Sequence, residues 1–461
     1  YGFVGLQIHK GDSVTQTKIT AADVDNARRA KVAVTDIDGV MRGKYLHPSK
    51  FASVLKGGFG FCDVVLGWDS ADECYEDATF TGWHSGYPDA NVQLDPSTAR
   101  KIPWEDNVPF MLGDFVKADG SPLPVCPRQT LKRVIKYGES LGYDARFGVE
   151  FEWFNFRETP ESLQEKGFQN LTPMTPGMFG YSMLRPALNQ SFFDDLMIKL
   201  QDFDVPVEGL HTETGPGVLE AALLNGDPLT VADRAILFKT ATKQIAYQHG
   251  IIPTFMAKWN ADLPGSSGHI HQSLSQNGVS SFHDDSDPNG MSDTFKSYLA
   301  GQLLLLPDIL ALLAPTVNSF KRLVEGMWAP TKANWAIDNR TVALRVIPGS
   351  PKSTRVELRV GGADINPYLA IAGAMAAGMY GVEHSLALKD APIVGNGYTA
   401  DSPRLPGSLS EAADALDNSS IIRGILGDEF VDHFVQTRRW EVKQYKQAVT
   451  DWELKRYFEI I

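Results

Sequence analysis

The chain has 461 residues, 43% of them hydrophobic and 21% charged, the balance of a soluble globular enzyme with room for one small and one large domain. Its 43 Lys+Arg against 56 Asp+Glu give a net charge of −13, which argues against a nucleic-acid surface and leaves a surplus of acids able to serve cations. Cys62, Cys74 and Cys126 lack the close pairing of a zinc knuckle and read as thiols in a reducing cytosol. No initiating Met and no charged-then-apolar leader stands at Tyr1, so no signal peptide and a cytoplasmic location are expected, with a trimmed N-terminus as the alternative.

In chain order, KVAVTDIDG, MRGKYL, FGFCDVVLGWDS and TGWHSGYPDANVQL predict short strands and turns with little helix. Gly and Pro cluster in KADGSPLPVCP, which predicts a boundary there, dividing the chain into residues 1–119 and 120–461. PRQTLKRVIKYGESLG opens the helical part, and SFFDDLMIKLQDF and TVADRAILFKTATKQIAYQHG are amphipathic, the second stopping at Gly250. LAGQLLLLPDILALLAPTV carries Gln302, Pro307 and Asp308 and falls short of a membrane span; two buried helices broken at Pro307 are expected. NPYLAIAGAMAAGMYGVEHSLAL is a small-residue helix, and the tail from Ser408 is helical with alternating charge.

Three segments set ionisable residues two apart between apolar ones: Glu150 and Glu152 in RFGVEFEWFNF, His269 and His271 in GHIHQSL, and Arg355, Glu357 and Arg359 in TRVELRVGG. Strand side chains alternate faces, so each set points one way while Val149, Phe151, Ile270, Val356 and Leu358 point the other. A sheet with such a charged face lines a wet, ion-filled cavity. Paired buried carboxylates repel and need cations or shared protons. Glu213 and Glu220 bracket the Gly-Pro-Gly turn of HTETGPGVLE and add two more acids, and oxygen-rich sites of this kind prefer Mg²⁺ or Mn²⁺.

The basic side is as dense: Arg322 in NSFKRLVEGMWAP, Arg340 and Arg345 in NRTVALRVIPGS, then Lys352, Arg355 and Arg359. Arginines among apolar strand residues need anions, and metal-binding acids facing guanidiniums is the arrangement phosphoryl transfer requires. Neither a G-x-x-x-x-G-K-[ST] nor a G-x-G-x-x-G loop is present to cradle phosphate in another way.

FGVEFEWFNF, HTETGPGVLE, the stretch from Lys258 to His271, NSFKRL, DNRTVALRVIP and RVELRVGGADINPYLA together resemble, in order, the active-site motifs of the glutamine synthetases. The resemblance runs from TDIDGVMRGK to TDWELKRYFE. It implies an α+β fold, with a small N-terminal β-grasp-like domain and a large catalytic domain whose curved antiparallel sheet lines the site. It also implies a homo-oligomer of stacked rings, a dodecamer by family habit, with sites between subunits. Two principal metal positions follow, one from Glu152, Glu213 and Glu220 and the other from Glu150, His269 and Glu357, with two or three Mg²⁺ or Mn²⁺ per site. Glu208, His271, Ser273, Lys352 and Arg355 match positions that contact ATP, Arg340 and Arg345 those facing its phosphates, and Arg322, Arg359 and the Gly265 backbone the glutamate pocket. Asp36 matches an acid that reaches into a neighbouring subunit's site and takes the proton of the attacking amine.

The departures bear on the substrate. Trp259 follows Lys258 where the family has Pro, Pro264 replaces an Asn, and Ser267 replaces a Gly. The flap that reads Pro-Gly-Tyr-Glu-Ala-Pro in ammonia-using members reads Glu325-Gly326-Met327-Trp328-Ala329-Pro330 here. An ammonium site should present carboxylates, whereas an indole offers an apolar wall and a π face. The resemblance therefore implies an ATP-dependent ligase joining L-glutamate to a small amine, with Trp328 in the amine pocket and neither nucleic acid nor membrane as a partner. A glutamine synthetase proper and a non-catalytic relative of the lengsin type are the alternatives.

Overall fold

The computed structural model describes residue 19 and residues 21–461, and its strands form two sheets. The first is built from β1 (Ala30–Thr35), β2 (Met41–Leu46), β3 (Phe59–Cys62), β4 (Asp89–Leu94), β5 (Arg100–Ile102) and β6 (Val108–Val116). Their order is β2-β1-β6-β4-β3 with β5 also on β6, and only the β1–β6 pair is parallel. A helix, Pro48–Gly57, stands where the sequence predicts strands and turns; its anchors are the His47 cap and the buried Phe51 and Val54, three residues apart, too short a pattern to declare itself.

The second sheet holds β7 (Asp144–Phe156), β8 (Val207–Thr212), β9 (Val218–Leu223), β10 (Ile252–Thr254), β11 (Gly268–Gln276), β12 (Val279–Ser280), β13 (Trp335–Ile337), β14 (Leu344–Ile347) and β15 (Arg355–Leu358). Its order is β13-β14-β15-β11-β7-β9-β8, antiparallel apart from the β13–β14 edge, with β10 on β7 and β12 on β11. Alternation along β7 buries Phe147, Val149, Phe151 and Trp153 on one face, each 1% exposed or less. That face rests on the helix Pro228–Tyr247, where Phe151 stacks on Phe238 with ring centroids 6.1 Å apart. The opposite face is left to Arg146, Gly148, Glu150 and Glu152.

Helix Asp293–Leu313 runs unbroken through Pro307, contrary to the two helices its sequence predicts. An interior proline costs about 3 kcal/mol. Leu305, Leu306, Ile309 and Leu310 are each at most 2% exposed, and burial worth roughly 1.5–3 kcal/mol per side chain outweighs that cost. By length and composition this helix is able to cross a membrane, yet 61% of the 18-residue stretch that qualifies it is buried inside the protein. It packs on the helix Pro367–Glu383 so closely that a Cβ added at Gly301 or Gly381 would collide with the facing backbone.

The two sheets share a core, with Ala33, Phe110 and Leu112 of the first packed into the cluster that holds Phe147 and Phe151 of the second. Arg128, at the start of the helix Pro127–Ser140, ties the first sheet to the helix Pro228–Tyr247 on which the second rests, through Asp114 and Asp95, each at 2.9 Å, and Asp233 at 2.8 Å. Asp36 lies in the β1–β2 turn and is 2% exposed.

Candidate active site

Strand register brings the chemistry together. Glu150 stands opposite His269 across β7 and β11, His271 opposite Glu357 across β11 and β15, and Arg345 opposite Glu357 across β14 and β15. On the other flank Glu152 faces Glu220, which faces His211 on β8. Opposed residues share a face of the sheet. His269 Nδ1 accordingly lies 3.6 Å from Glu150 and 3.4 Å from Glu357, and His271 Nε2 lies 3.1 Å from Glu150. Arg355 Nε donates to His271 Nδ1 at 3.1 Å, which leaves the His271 proton on Nε2, facing Glu150. Arg345 and Arg359 donate to the two oxygens of Glu357 at 2.9 and 2.5 Å.

These residues line a cavity of about 790 Å³. Its acidic wall is Glu150, Glu152, Glu213 and Glu220, its basic wall Arg340, Arg345, Arg355 and Arg359. Gly265 and Arg322 close one side, with Arg322 donating to the Val360 carbonyl at 2.8 Å and the Arg359 carbonyl at 3.3 Å. Trp328 forms part of the rim: its backbone is left-handed at φ 61° and its side chain is 56% exposed. Tyr181 stacks on His211 at 4.6 Å on the same wall.

A second cavity of about 310 Å³ adjoins the first and shares Glu150, His271 and Arg355 with it. Glu208, Ser273 and Lys352 line it, as do Arg146, Gly148 and Asn225. Arg146 donates to Asn225 Oδ1 through Nε at 3.3 Å and Nη2 at 2.9 Å. Two compartments thus meet at one acid, one histidine and one arginine, which suits two substrates that react where they touch.

Residues 124–457 match the family model for the glutamine synthetase catalytic domain. The chain belongs to the glutamine synthetase family. It is 55% identical over 94% of its length to a type-1 glutamine synthetase 2 of Dictyostelium discoideum, covering 84% of that protein. It is 37% identical to a glutamate–isopropylamine ligase of a Pseudomonas species, over 95% of this chain and 96% of that protein. It is also 37% identical to a γ-glutamylethanolamide synthetase of Streptomyces coelicolor, over 96% of this chain and 94% of that protein. Among solved structures a GmaS/ADP complex superposes with a TM-score of 0.83 at 26% identity, covering 96% of this chain and all of that one. The N-terminal sheet followed by an α+β catalytic domain is the architecture of this glutamine synthetase relative.

Glutamine synthetase family members are ATP-dependent ligases that use divalent metal, and the donor sets here fit such ions. Ligand atoms of Glu150, His269 and Glu357 lie within 4.8 Å of one another, as do those of His211, Glu213 and Glu220. Among the described residues His269 Nε2 is buried without a hydrogen-bond partner. Burial, together with the neighbouring Glu152 and Glu150, pushes the Glu220 carboxyl up to about 8, the signature of acids crowded where a cation belongs. Burial opposes ionisation of Glu357 as well, but His269 and Arg359 beside it hold it down at about 2. Glu213 and Glu220 together raise His211 to about 10.

Of the residues singled out in the sequence, all but Asp36 line one of the two cavities. The Asp36 carboxylate accepts from Val40 N at 2.8 Å, Asp38 N at 3.1 Å and Arg42 Nε at 2.8 Å within its own hairpin. Within a single chain this side chain closes its own turn, and its expected reach into a neighbouring subunit's site is a property of the assembly rather than of one chain. Glu152 faces Glu220 and accepts from Ser267 N at 2.7 Å, while His211 completes the cluster of Glu213 and Glu220. Sequence reading missed His211, although it stands two residues from Glu213, the spacing that marked the other pairs. Arg146 and Asn225 were also missed; Arg146 opens RFGVEFEWFNF on the same two-residue period as Glu150 and Glu152, whereas Asn225 belongs to no recognisable motif.

Proposed function

We propose that this ligase joins the γ-carboxylate of L-glutamate to a small organic amine, giving a γ-glutamylamide, ADP and phosphate. The observation that carries the reading is Trp328, an exposed indole on the cavity rim at the flap position where ammonia-using members place an acid. An alkyl or aryl amine gains about 25 cal/mol per Å² of apolar surface buried against such a wall, and ammonia has almost none to bury. The isopropylamine and ethanolamide relatives support the reading.

In this mechanism Arg322, Arg359 and the Gly265 backbone hold the amino-acid end of glutamate. Its γ-carboxylate oxygen attacks the terminal phosphorus of ATP, the bond to ADP breaks, and γ-glutamyl phosphate forms. Arg340 and Arg345 neutralise the charge that develops on the phosphoryl oxygens. Lys352, Arg355, Ser273 and Glu208 orient the nucleotide. Neutral amine then attacks the acyl carbon, the bond from that carbon to the phosphate oxygen breaks, and the surplus proton of the nitrogen passes to the departing phosphate. Two or three Mg²⁺ or Mn²⁺ ions, which the two acid and histidine clusters would hold, would supply positive charge against that of the phosphates.

A second reading, glutamine synthetase proper, is favoured by the Dictyostelium relative. The two separate on kcat/KM for ammonium, ethylamine, isopropylamine, aniline and putrescine, measured in the parent and in Trp328→Glu. A small mono-amine should be preferred by the parent, and the variant should shift toward ammonium. Ammonium as the best substrate of the parent would instead establish the second reading.

The same reading includes a homo-oligomer of stacked rings with sites between subunits. Met183, Leu184, Phe458 and Ile461 are between 72% and 93% exposed and offer apolar surface for it to bury. Light scattering that returns a monomer would refute this part.

A further inference from the structure

The three residues assigned to the glutamate pocket come from three segments far apart in sequence: Gly265, Arg322 and Arg359. Val360, Ala363 and Ile365 seat one of these segments in the core, and Phe320 and Leu323 pack another against it; apolar packing is non-directional, so polar ties fix the register of one segment on the next. Two side chains outside the cavity wall supply those ties. Asp364 Oδ2 accepts from Ser319 Oγ at 2.6 Å and from Thr316 Oγ1 at 3.0 Å. Thr316 and Ser319 in turn close a reciprocal box, Thr316 N donating to Ser319 Oγ at 3.0 Å and Ser319 N to Thr316 Oγ1 at 3.1 Å. That box begins the single helical turn Ser319–Arg322, whose last residue is Arg322. Arg322 then donates back to the carbonyls of Arg359 and Val360, in the loop that carries Asp364. The turn and the loop are therefore clamped to each other at both ends.

Asn318 ties in the third segment. Lys258 N donates to Asn318 Oδ1 at 2.9 Å and Asn318 Nδ2 donates to the Lys258 carbonyl at 2.7 Å, a backbone pairing made by a side chain. Ala363 N donates to the Ser266 carbonyl at 3.0 Å and so joins the loop of Gly265 to that of Asp364. Lys239, from the helix Pro228–Tyr247, donates to the Ile365 carbonyl at 3.0 Å and anchors the whole assembly to the core. Among the described residues Asp364 Oδ1 is out of water without a hydrogen-bond partner, so the side chain keeps an unpaired acceptor beside Lys239 and Arg322.

We infer that Asp364 and Asn318 are positioning residues that hold Arg322, Arg359 and the Gly265 backbone in register for the substrate's amino-acid end. The inference rests on reading Arg322 as the group that grips glutamate. Asp364→Ala should raise KM for glutamate about tenfold or more, while KM for ATP stays within about twofold. Asp364→Asn, which keeps an acceptor for Ser319 and Thr316, should recover most of the glutamate affinity. Asn318→Ala should show the same one-sided effect by releasing the Lys258 strap. An equal rise in both KM values, or an unchanged KM for glutamate, overturns the inference. Should Asp364→Ala fail to fold, Ser319→Ala removes the same hydrogen bond from the other side and is judged by the same split. Arg322→Lys is measured alongside. No change in glutamate KM there removes the pocket assignment itself, whereas an Arg322 effect with no effect at Asp364 and Asn318 removes only the inference.

Discussion

Glu357 and Arg345 stand opposite one another on β15 and β14 and are joined at 2.9 Å, with Glu357 only 1% exposed. Arg359 takes its other oxygen. The carboxylate therefore has two tasks, as a candidate metal ligand and as the counter-charge of two arginines. Removing one partner of a buried pair costs about 3–5 kcal/mol, so Glu357→Ala should lower Tm as well as abolish ATP turnover. Glu357→Gln keeps the shape and the acceptor but loses the charge. It should lose less Tm than the Ala variant, because both hydrogen bonds keep an acceptor or a polar neighbour, and still fail to release phosphate from ATP in Mg²⁺ with glutamate and amine. Normal turnover by the Gln variant would take Glu357 out of the metal site.

Arg345 also donates to Asp338, through Nη2 at 2.5 Å and Nε at 3.0 Å, so its planar fork is set before any substrate arrives. A lysine keeps the charge and loses the fork. Groups in such a role are worth about 10³ to 10⁵ in rate, and Arg345→Lys should cost at least 10²-fold in kcat by that scale. Single-turnover measurement of γ-glutamyl phosphate formation locates the loss. An unchanged kcat would return Arg345 to a purely structural part.

Gly148 lies on the cavity face of β7 between Arg146 and Glu150. A Cβ there would meet Asn225 Cβ at 3.6 Å and His271 Cβ at 3.7 Å, ordinary contacts, so the fold does not require glycine. The space is kept for whatever occupies the smaller cavity. Gly148→Val should leave Tm close to that of the parent and raise KM for ATP about tenfold or more, equivalent to at least 1.4 kcal/mol. Calorimetric titration with ADP checks it: unaltered affinity would mean that the nucleotide lies elsewhere.

Acid sensitivity should come partly from His433, which is 1% exposed and packs edge-on against Phe80. Burial, and then Arg438, hold its imidazole down at about 4. The unfolded chain takes up this proton near pH 6.5, while the folded protein refuses it until about pH 4. Stability is thus intact above pH 6.5 and lost as the pH falls through that window, by about 3 kcal/mol in all. Urea midpoints at pH 7 and pH 4 should fall less in His433→Leu than in the parent. Equal falls would show that this group titrates normally.

The charged strand faces were legible because a period of two forces Glu150 with Glu152, and His269 with His271, onto one side, and the apolar residues between them fix which side is buried. Registers between strands carry no such local signal. Only the fold shows Arg345 opposite Glu357, or His211 joined to Glu220. Asp36 shows the limit of a motif: within one chain its carboxylate caps its own turn, and nothing in VTDIDG distinguishes that part from one played across a subunit boundary. Pro307 misled because helix propensity is a local quantity, while the burial that overrides it comes from a helix some sixty residues later. The positioning pair, Asn318 and Asp364, escaped notice because neither residue touches the cavity.

The backbone-to-backbone contact at Gly301 and Gly381 has a mechanical consequence. Sliding of packed helices normally depends on side chains that give way as one ridge passes another. Here no side chain intervenes, and the facing main chains would have to separate before either helix advanced by a turn. The layer behind the sheet therefore acts as a fixed bed, against which the strands that carry the charged face are held in register.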